Sequence, residues 1–379
     1  MHILAILNGS VRGFSGGDLH LISVLNEWSR EHAVDLYLPV ASSPEIGAQL
    51  SPRVRVHGQP SGRRPMSRLL YLILVTRRML VATWYVWTGR GRWDVVIAAS
   101  HFAFDAIPVL VAGRSTARAV YWWHHATAPR GRPEWVGALV KASEALMVRS
   151  FRYHRVKVLT SNSATAKWLT DTGLPSQQVA GTVGGLSIRS SPVSDEEALA
   201  SQPGLANVVG RKIVLFFARV TKLKGAHELP RIVRAVASAS NDAIVVVCGA
   251  EGAEAKPIRE ELRVLEERGV VRFLGFTLDP IKTWLFARAH VFIAPSYEEG
   301  WGITIADGLS SGCWVIVYDL PAVREAFPRG PIFVPLGDAE SFARATARCL
   351  AQERPGQFAN AQDYSWQTIA ASDLEAILT

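Results

Sequence analysis

Short apolar runs alternate along this chain with longer amphipathic stretches, and this alternation restricts the fold more than any other feature. It is typical of βαβ units, in which helices join parallel strands. We therefore predict an α/β protein with mainly parallel sheets. The predicted strands form two series: His2–Leu7, Val34–Leu38, Val95–Ala98, Ala119–Trp122 and Val156–Thr160, then Ile213–Phe217, Ile244–Val247, Val271–Leu274, Val291–Ala294 and Trp314–Val317.

Two series of strands within 379 residues predict two domains. Almost half of the residues (49%) are hydrophobic, which is enough for two cores and excludes a disordered chain. The polar segment between the series, rich in Ser, Pro, Gly and acidic residues, is predicted to be a linker or hinge. The predicted organisation is a first domain over residues 1–186, a linker over 187–210, a second domain over 211–357 and a final segment over 358–379.

Positive charge is concentrated in the first half of the chain. Residues 1–190 carry 22 Lys and Arg against 10 Asp and Glu, whereas the whole chain has 41 against 33. No acidic residue occurs between Glu45 and Asp94, while seven arginines lie between Arg63 and Arg92. A positive electrostatic field over one half of the chain favours an anionic partner, which could be a membrane surface, a nucleic acid or an acidic glycan.

The stretch Leu69–Trp87 is almost wholly apolar and is long enough to be tested as a membrane span. Arg77 and Arg78 lie in its middle, where each charge would cost roughly 2.5–3.5 kcal/mol on insertion, so a span is excluded. One interpretation is a helix buried against the first sheet, with its arginines reaching solvent. The other is a surface helix on an anionic bilayer. Its aromatic residues at headgroup level would be Trp84, Tyr85, Trp87 and Trp93.

The cysteines and the N-terminus bear on the compartment. Cys248, Cys313 and Cys349 are widely separated and form no CxxC pair, which indicates a reducing compartment. The opening residues MHILAILNGS predict a first strand rather than a secretion signal. We expect a cytoplasmic protein, either free or peripheral on the inner face of a membrane.

The segment from Val291 to Gly312 has the strongest functional signal. An apolar strand runs into Pro295–Ser296, then into a loop carrying Glu299 and a helix that starts near Gly302. Small residues let a ligand approach the backbone, and a helix N-terminus offers free N–H groups to anions. Asp307 follows Glu299 by eight residues, about two turns into that helix.

A second motif precedes this one. The strand Ile213–Phe217 leads to Arg219 and, five residues later, to Lys224–Gly225. Cations in fixed positions stabilise a leaving diphosphate, because its negative charge grows as the bond to it breaks. Either cation alone would more often be a solvated surface charge.

In these residues the chain resembles glycosyltransferase family 4, the retaining enzymes of the GT-B fold. The resemblance implies two Rossmann-like, doubly wound domains that face each other across a cleft, with the nucleotide-sugar donor on the second domain. It implies that Arg219 and Lys224 grip the donor diphosphate, that Glu299 holds hydroxyls of the transferred sugar, and that N–H groups near Gly302 and Ile303 meet the phosphates. Asp307 stands where the family has a Glu that binds the ribose.

Other positions match the family with lower specificity. A Gly-rich turn at Gly249 and the segment ending at Phe276 fit the nucleotide side, and Ser365–Trp366 resembles the start of a helix that crosses back to the first domain. In the first domain, Gly16 and Gly17 match a Gly-Gly pair that approaches the donor. His124, with His125 as the alternate, matches a histidine that positions the sugar. The family's Asn-Gly-Val/Ile-Asp reads Gly184-Gly185-Leu186-Ser187 here.

The function implied is metal-independent, retaining transfer of a hexose to a hydroxyl of a glycan, a lipid-linked acceptor or a natural product. No cofactor is expected, and no metal, since neither half has an Asp-x-Asp motif. Three alternatives stay open: a sugar-nucleotide epimerase of similar fold, a basic nucleic-acid- or membrane-binding protein, and a catalytically silent scaffold. We expect no nucleic-acid partner, because no recognisable binding module is present.

Overall fold

The structure, a computed structural model, divides into two compact units. Unit 1 comprises Met1–Gly185 and Ser365–Thr379, and unit 2 comprises Leu186–Tyr364. The described residues are 1–8, 16–39, 46–59, 68–112, 118–123, 144–152, 156–188, 191–252, 254–277, 279–357 and 364–379.

Unit 1 is built on a seven-stranded parallel sheet with the order β3-β2-β1-β4-β5-β6-β7. Its central strands are buried on both faces, which explains their continuous apolar sequences. A further helical stretch covers residues 144–151. The strands and the first helices are β1 (His2–Ile6), α1 (Gly16–Trp28), β2 (Ala33–Pro39), β3 (Arg55–Gln59), α2 (Arg68–Thr88), β4 (Val95–Ala98), α3 (Ala103–Ala112), β5 (Arg118–Trp123), β6 (Val156–Thr160), α4 (Ser163–Asp171) and β7 (Val179–Gly181).

Unit 2 has a six-stranded parallel sheet with the order β10-β9-β8-β11-β12-β13 and a hydrophobic core on each face. Its elements are α5 (Asp195–Ser201), β8 (Lys212–Phe217), α6 (Leu229–Ala239), β9 (Ala243–Cys248), α7 (Ala255–Glu261), α8 (Arg263–Glu267), β10 (Val271–Gly275), α9 (Asp279–Arg288), β11 (Ala289–Ala294), α10 (Ile303–Ser310), β12 (Trp314–Tyr318), α11 (Pro321–Ala326), β13 (Ile332–Val334) and α12 (Ala339–Leu350).

The last helix, α13 (Trp366–Leu378), returns to unit 1 and packs against α1. The Trp28 indole N–H donates to the Ala370 carbonyl at 2.8 Å, and His20 Nε2 lies 3.1 Å from Asp373 Oδ2. The final residues are therefore part of the core of unit 1. Residues 358–363 of the predicted final segment lie outside the described residues.

All ten predicted strands are confirmed. The structure adds β3, β7 and β13, which the sequence analysis did not predict. Strand β3 reads RVHGQ and lies at a sheet edge, so it lacks an apolar run. Strands β7 and β13 have only three residues each, which is too short for a periodic pattern.

Residues 187–210, predicted as a linker, belong to unit 2 in the structure. Ser194 and Glu197 form a capping box at the start of α5. Leu205 and Val208 are fully buried in the core of unit 2. In the described part of this segment, Ser194 and Glu197 therefore serve helix capping, and Asp195 and Glu196 lie in the first turn of α5.

A buried polar cluster fastens the start of this segment to α10. The carboxylate of Asp307 is fully buried and accepts from the Ser187 N–H at 2.8 Å, the Ile188 N–H at 3.3 Å and the Ser187 hydroxyl. Lys282 Nζ lies 3.2 Å from Asp307 Oδ2 and also contacts Ser187 Oγ. Asp307 thus joins α9, α10 and the backbone at residues 187–188.

Helix α2 has one buried face and one exposed face, so the interpretation as a buried helix holds for one of its faces only. Arg77 reaches solvent, but Arg78 is buried and its guanidinium donates to the Asn8 carbonyl at 3.3 Å, so that part of the prediction was wrong. Trp93, which was predicted to lie at headgroup level, is also buried. Its indole N–H donates to Asp35 at 3.3 Å. Among the described residues, no helix is long and apolar enough to cross a membrane.

The amino-terminal edge of the unit 1 sheet carries a buried carboxylate with four polar partners. Asp35 Oδ1 lies 2.9 Å from Arg55 Nε and 3.2 Å from His57 Nε2, while Oδ2 lies 2.6 Å from His2 Nε2. Burial alone would raise the pKa of Asp35. The hydrogen bonds from His57, Trp93 and His2 and the charge of Arg55 outweigh burial and lower that pKa below its usual value.

Replacing Asp307 by Ala should lower the free energy of unfolding by roughly 3–5 kcal/mol, because Lys282 would be left buried without its counter-charge. Adding Lys282→Met to Asp307→Ala removes that charge and should recover part of the loss. Urea denaturation measures both. The control is Asp242→Ala at an exposed aspartate, which should change stability by no more than about 0.5 kcal/mol. An equally small loss in Asp307→Ala would contradict the prediction.

Asp35→Asn should destabilise the protein by about 1.5–3 kcal/mol at neutral pH, since it removes hydrogen bonds to a charged acceptor. A carboxyl whose folded pKa lies below its unfolded value of about 3.9 stabilises the fold above that pH. The stabilisation is lost as pH falls through the folded pKa. The difference in unfolding free energy between parent and variant should therefore shrink below about pH 4. A difference that stays constant between pH 7 and pH 3 would show that the charge of Asp35 is not involved.

Candidate functional site

The order of the strands in unit 2 identifies where a ligand would bind. From β8 the chain adds β9 and β10 on one side, then crosses to add β11 on the other side of β8. In open parallel sheets, ligands bind outside the carboxyl ends of the strands at such a switch point. The segments that follow β8 and β11 carry Arg219, Lys224, Glu299 and Gly302. The topology therefore brings the two strongest sequence motifs to one place.

The Lys224–Gly225 turn is locked against the end of β11. Gly225 has φ +70°, and a Cβ atom there would lie 1.8 Å from the Pro295 carbonyl oxygen. The Tyr297 N–H donates to the Leu223 carbonyl at 2.9 Å. Only glycine fits this left-handed position and this close approach. The contact holds Lys224 beside the loop that carries Glu299.

Lys224 and Glu299 form an ion pair at this edge. Lys224 Nζ lies 2.6 Å from Glu299 Oε1, and the two side chains are 23% and 13% exposed. The pair is thus largely shielded from water but open on one side. A lysine ammonium can bind a phosphate group, and a carboxylate can accept hydrogen bonds from sugar hydroxyls. In the structure the two side chains neutralise each other.

Arg219 follows β8 directly, and its side chain is exposed. Within the described ranges it takes part in no ion pair, so its charge faces solvent. Its backbone is held by Gly249, whose φ is +136° and where a Cβ would lie 2.0 Å from the Ala218 carbonyl oxygen. The Gly249 N–H donates to the Gly275 carbonyl at 2.8 Å. Gly249 therefore links the carboxyl ends of β8, β9 and β10.

Phe276 stands just beyond β10 and is 59% exposed. The preceding Gly275 adopts φ +67°, which turns the chain at the sheet edge. The exposed ring offers a flat face to a planar group such as a nucleotide base. The structure places it at the same carboxyl edge as the end of β9.

Helix α10 begins at this edge with a glycine cap. Gly302 has φ 106° and ψ 57°, and its carbonyl accepts from the N–H groups of Ile305 and Ala306. The N–H of Ile303 belongs to the first turn, whose N–H groups precede the intrahelical bonds and can meet an anion. Trp301 is buried and packs edge-on against Phe327, which holds the turn in place.

A buried carboxylate behind the loop was missed in the sequence analysis. The Tyr297 hydroxyl donates to Glu228 Oε1 at 2.5 Å, and the Tyr318 hydroxyl donates to the same oxygen at 3.2 Å. Burial, followed by the hydrogen bond and charge of Glu228, raises the pKa of Tyr297 to about 12. Tyr297 and Glu228 are 69 residues apart, so no local pattern could have revealed this anchor.

Asp307, predicted to meet the ribose, is turned inward. Its carboxylate is engaged by Ser187, Ile188 and Lys282, so a ribose contact would require these bonds to be exchanged. Asp307 and Ser187 are also two positions at which this chain departs from the pattern of glycosyltransferase family 4. The structure shows that the two departures are in direct contact.

Unit 1 has its own switch point, between β1 and β4. Gly16 and Gly17 open α1, the helix that follows β1. His124 and its alternate His125 lie outside the described residues, immediately beyond the end of β5 at Trp123.

The carboxyl ends of β1 and β4 carry a polar cluster that was not predicted. Asp105 Oδ1 accepts from the Asn8 N–H at 2.6 Å, and Asp105 Oδ2 accepts from the Ser100 hydroxyl. His101 Nε2 lies 3.3 Å from Glu144 Oε1, and both side chains are buried. In the sequence, this cluster could have been found from Ser100 and His101, two polar residues that directly follow the apolar run of β4. Over the described residues, no group of three His, Cys, Asp or Glu side chains is arranged to hold a metal ion.

Comparison with known proteins links unit 2 to a family. Residues 211–352 match the sequence profile of the family described as Glycosyl transferases group 1. A lipopolysaccharide core biosynthesis mannosyltransferase, LpcC of Rhizobium leguminosarum bv. viciae, is 30% identical over 162 residues, which cover 40% of this chain and 45% of LpcC. O-antigen chain mannosyltransferase B of Escherichia coli is 26% identical over 130 residues, 30% of this chain and 32% of that protein. The matches thus span less than half the length of these relatives.

Similarity to solved structures extends over the whole chain. Anabaena Alr3699/HepE, crystallised with UDP and glucose, has a TM-score of 0.75 with 18% sequence identity, and the similarity covers 100% of both chains. At this identity the likeness establishes the fold alone, an α/β fold with parallel sheets in two Rossmann-like units. The chain has the GT-B fold, and its second unit carries the sequence pattern of the Glycosyl transferases group 1 family.

Proposed function

We propose that this protein is a retaining, metal-independent glycosyltransferase that moves a hexose from a nucleotide-diphosphate sugar to an acceptor hydroxyl. The observation that carries the proposal is the Lys224–Glu299 ion pair, held at the switch point of the unit 2 sheet beside the N-terminus of α10. A donor of this class has a dianionic diphosphate next to a polyhydroxylated ring. It therefore offers one partner to the lysine and another to the carboxylate.

In the proposed donor complex, Lys224 turns from Glu299 to the diphosphate, and Arg219 adds a second positive charge. The N–H of Ile303 meets a phosphate oxygen, and Glu299 accepts from hydroxyls of the sugar. As the bond between the anomeric carbon and the phosphate oxygen breaks, negative charge grows on the leaving group. Fixed cations and N–H groups then stabilise the transition state more than the ground state.

Retention requires the acceptor oxygen to bond to the anomeric carbon on the face from which the phosphate leaves. We propose that a phosphate oxygen takes the acceptor proton as the new glycosidic bond forms. The products are then a glycoside and a nucleoside diphosphate, and no cofactor is consumed. Gly16, Gly17 and His124 are proposed to act on the sugar from the first unit.

The comparisons supply the donors to test first. Both relatives named above are mannosyltransferases, and HepE was crystallised with UDP and glucose. GDP-mannose and UDP-glucose are therefore the first two sugar nucleotides to test as donors. Phe276 and Gly249 are proposed to lie on the nucleotide side. Asp307 would reach the ribose only by giving up its present bonds.

The acceptor is proposed to be an anionic or lipid-linked glycan. The relatives named for lipopolysaccharide core and O-antigen synthesis support this class, as does the excess of positive charge over residues 1–190. We also propose a cytoplasmic site of action. The three cysteines are free and buried, which is compatible with a reducing compartment.

Lys224→Ala and Glu299→Gln should each lower donor turnover by about 10²–10³-fold, because each removes one side of the preorganised site. The measurement is nucleoside diphosphate release from GDP- and UDP-sugars without added metal. The control is Lys256→Ala, which removes an exposed lysine in the same unit and should leave turnover unchanged. Thermal unfolding of each variant checks that the fold is intact.

Parent-level turnover in Glu299→Gln would overturn the assignment of the site. A parent protein that converts the sugar nucleotide to an epimer, with no glycoside formed, would overturn the transferase. The anomeric configuration of an isolated glycoside tests retention, and turnover in the presence of a chelator tests metal independence.

A further inference from the structure

Helix α2 presents two apolar faces, although only one of them is covered by unit 1. The inner face carries Val75, Arg78, Ala82 and Val86, and all four are buried. At 100° per residue these positions fall within about 80° of one another around the helix axis. Ala82 and Val86 belong to the hydrophobic core of the unit, and Tyr85 beside them packs against that core.

The opposite face is exposed and is also apolar. Ile73, Leu80 and Trp84 are 56%, 59% and 65% exposed, and Trp87 is half exposed. Together with Val81 they repeat at helical spacing and form a stripe on the solvent side, which we call the outer stripe. A shallow depression lies along its first part. An ordinary surface helix has polar residues in these positions, so the outer stripe requires a partner.

The charged residues of α2 and of the turn that follows it, up to Arg92, are all arginines. Arg77 lies within the outer stripe and is exposed, and the guanidinium of Arg90 lies 5.1 Å above the ring of Trp87. No acidic residue occurs in the sequence between Glu45 and Asp94. The partner must therefore accept both apolar side chains and arginines. Nucleic acid would meet only the arginines, whereas a bilayer with anionic headgroups meets both.

We propose that the outer stripe of α2 docks on an anionic lipid bilayer with the helix axis parallel to the membrane plane. Residues 73–87 span about 21 Å of helix, so Ile73 and Leu80 can enter the acyl boundary along its length. Trp84 and Trp87 lie at the interface, where indole rings are favoured. Arg77 and Arg90 reach the headgroup phosphates. This goes beyond the proposed function and does not depend on it.

The first test is co-sedimentation of the full chain with vesicles of phosphatidylcholine containing 30% phosphatidylglycerol at low salt. We expect binding that weakens at least tenfold when phosphatidylglycerol is left out or when salt is raised. Trp84→Ser combined with Trp87→Ser should weaken it at least tenfold, and Leu80→Ser should weaken it severalfold. The matched control is Val264→Ser, at a residue of unit 2 that is 56% exposed and should have no effect.

The charge contribution is tested separately with Arg77→Gln. This variant should lower binding to anionic vesicles severalfold and flatten its salt dependence. Arg268→Gln, at another exposed arginine, should change neither.

The second test places a probe on the stripe. Cys248, Cys313 and Cys349 are buried, so a cysteine at position 80 can be labelled selectively with an environment-sensitive dye. The dye on Leu80→Cys should shift to the blue on anionic vesicles, and the dye on Val264→Cys should not.

Absence of vesicle binding at low salt would overturn the proposal, as would equal binding by the parent and the double tryptophan variant. Sedimentation velocity supplies a further check. Dimers of the parent that dissociate in the double tryptophan variant would show that a second copy of the chain, and not a bilayer, covers the stripe. None of these measurements uses a sugar donor, so their failure is distinguishable from failure of the proposed function.

Discussion

The close approach of Gly225 to the Pro295 carbonyl is the contact on which the candidate site depends. It places the turn after β8 against the end of β11, although the two segments are 70 residues apart in sequence. The Tyr297–Leu223 backbone hydrogen bond reinforces it from one side, and the bond from Tyr297 to Glu228 does so from behind. Any side chain at position 225 would push the two segments apart. Lys224 would then lose its position beside Glu299, so here a backbone constraint determines the electrostatics of the site.

The contact between Asp307 and Ser187 shows how two departures from a family pattern can compensate. An aspartate is one methylene shorter than a glutamate, and in this chain its carboxylate is held inward by Ser187 and Lys282. A second carboxylate at position 187 would place two like charges against each other in a buried site, whereas serine donates two hydrogen bonds. Each substitution taken alone would suggest that a binding residue has been lost. Together, Asp307 and Ser187 form a buried network in which the carboxylate has hydrogen-bond partners and a counter-charge.

Sequence predicted what depends on local pattern and missed what depends on distant contacts. The ten apolar strands and the glycine-bounded motifs after β8 and β11 could be predicted, since buried parallel strands and tight turns leave continuous local signals. The edge strand β3 could not be predicted from the sequence, because its residues are mostly polar and it pairs with a single strand, β2. Glu228 could not, because its partners Tyr297 and Tyr318 lie 69 and 90 residues away. The polar composition of residues 187–210 predicted a hinge, yet Ser and Glu residues also form the capping box of α5, and Leu205 and Val208 among the polar residues are buried.

Helix α2 shows why hydrophobicity alone could not decide between a buried and a surface helix. Its sequence has apolar residues on every side of the helix and places Arg77 and Arg78 next to each other, so periodicity gave no contrast between faces. The structure resolves this with Arg78, which turns inward and donates to the Asn8 carbonyl, while Arg77 next to it turns outward. The buried arginine thus defines the inner face through its hydrogen bond. The apolar residues on the other side contribute nothing to the core, and burying them elsewhere would release the free energy that their exposure to water costs.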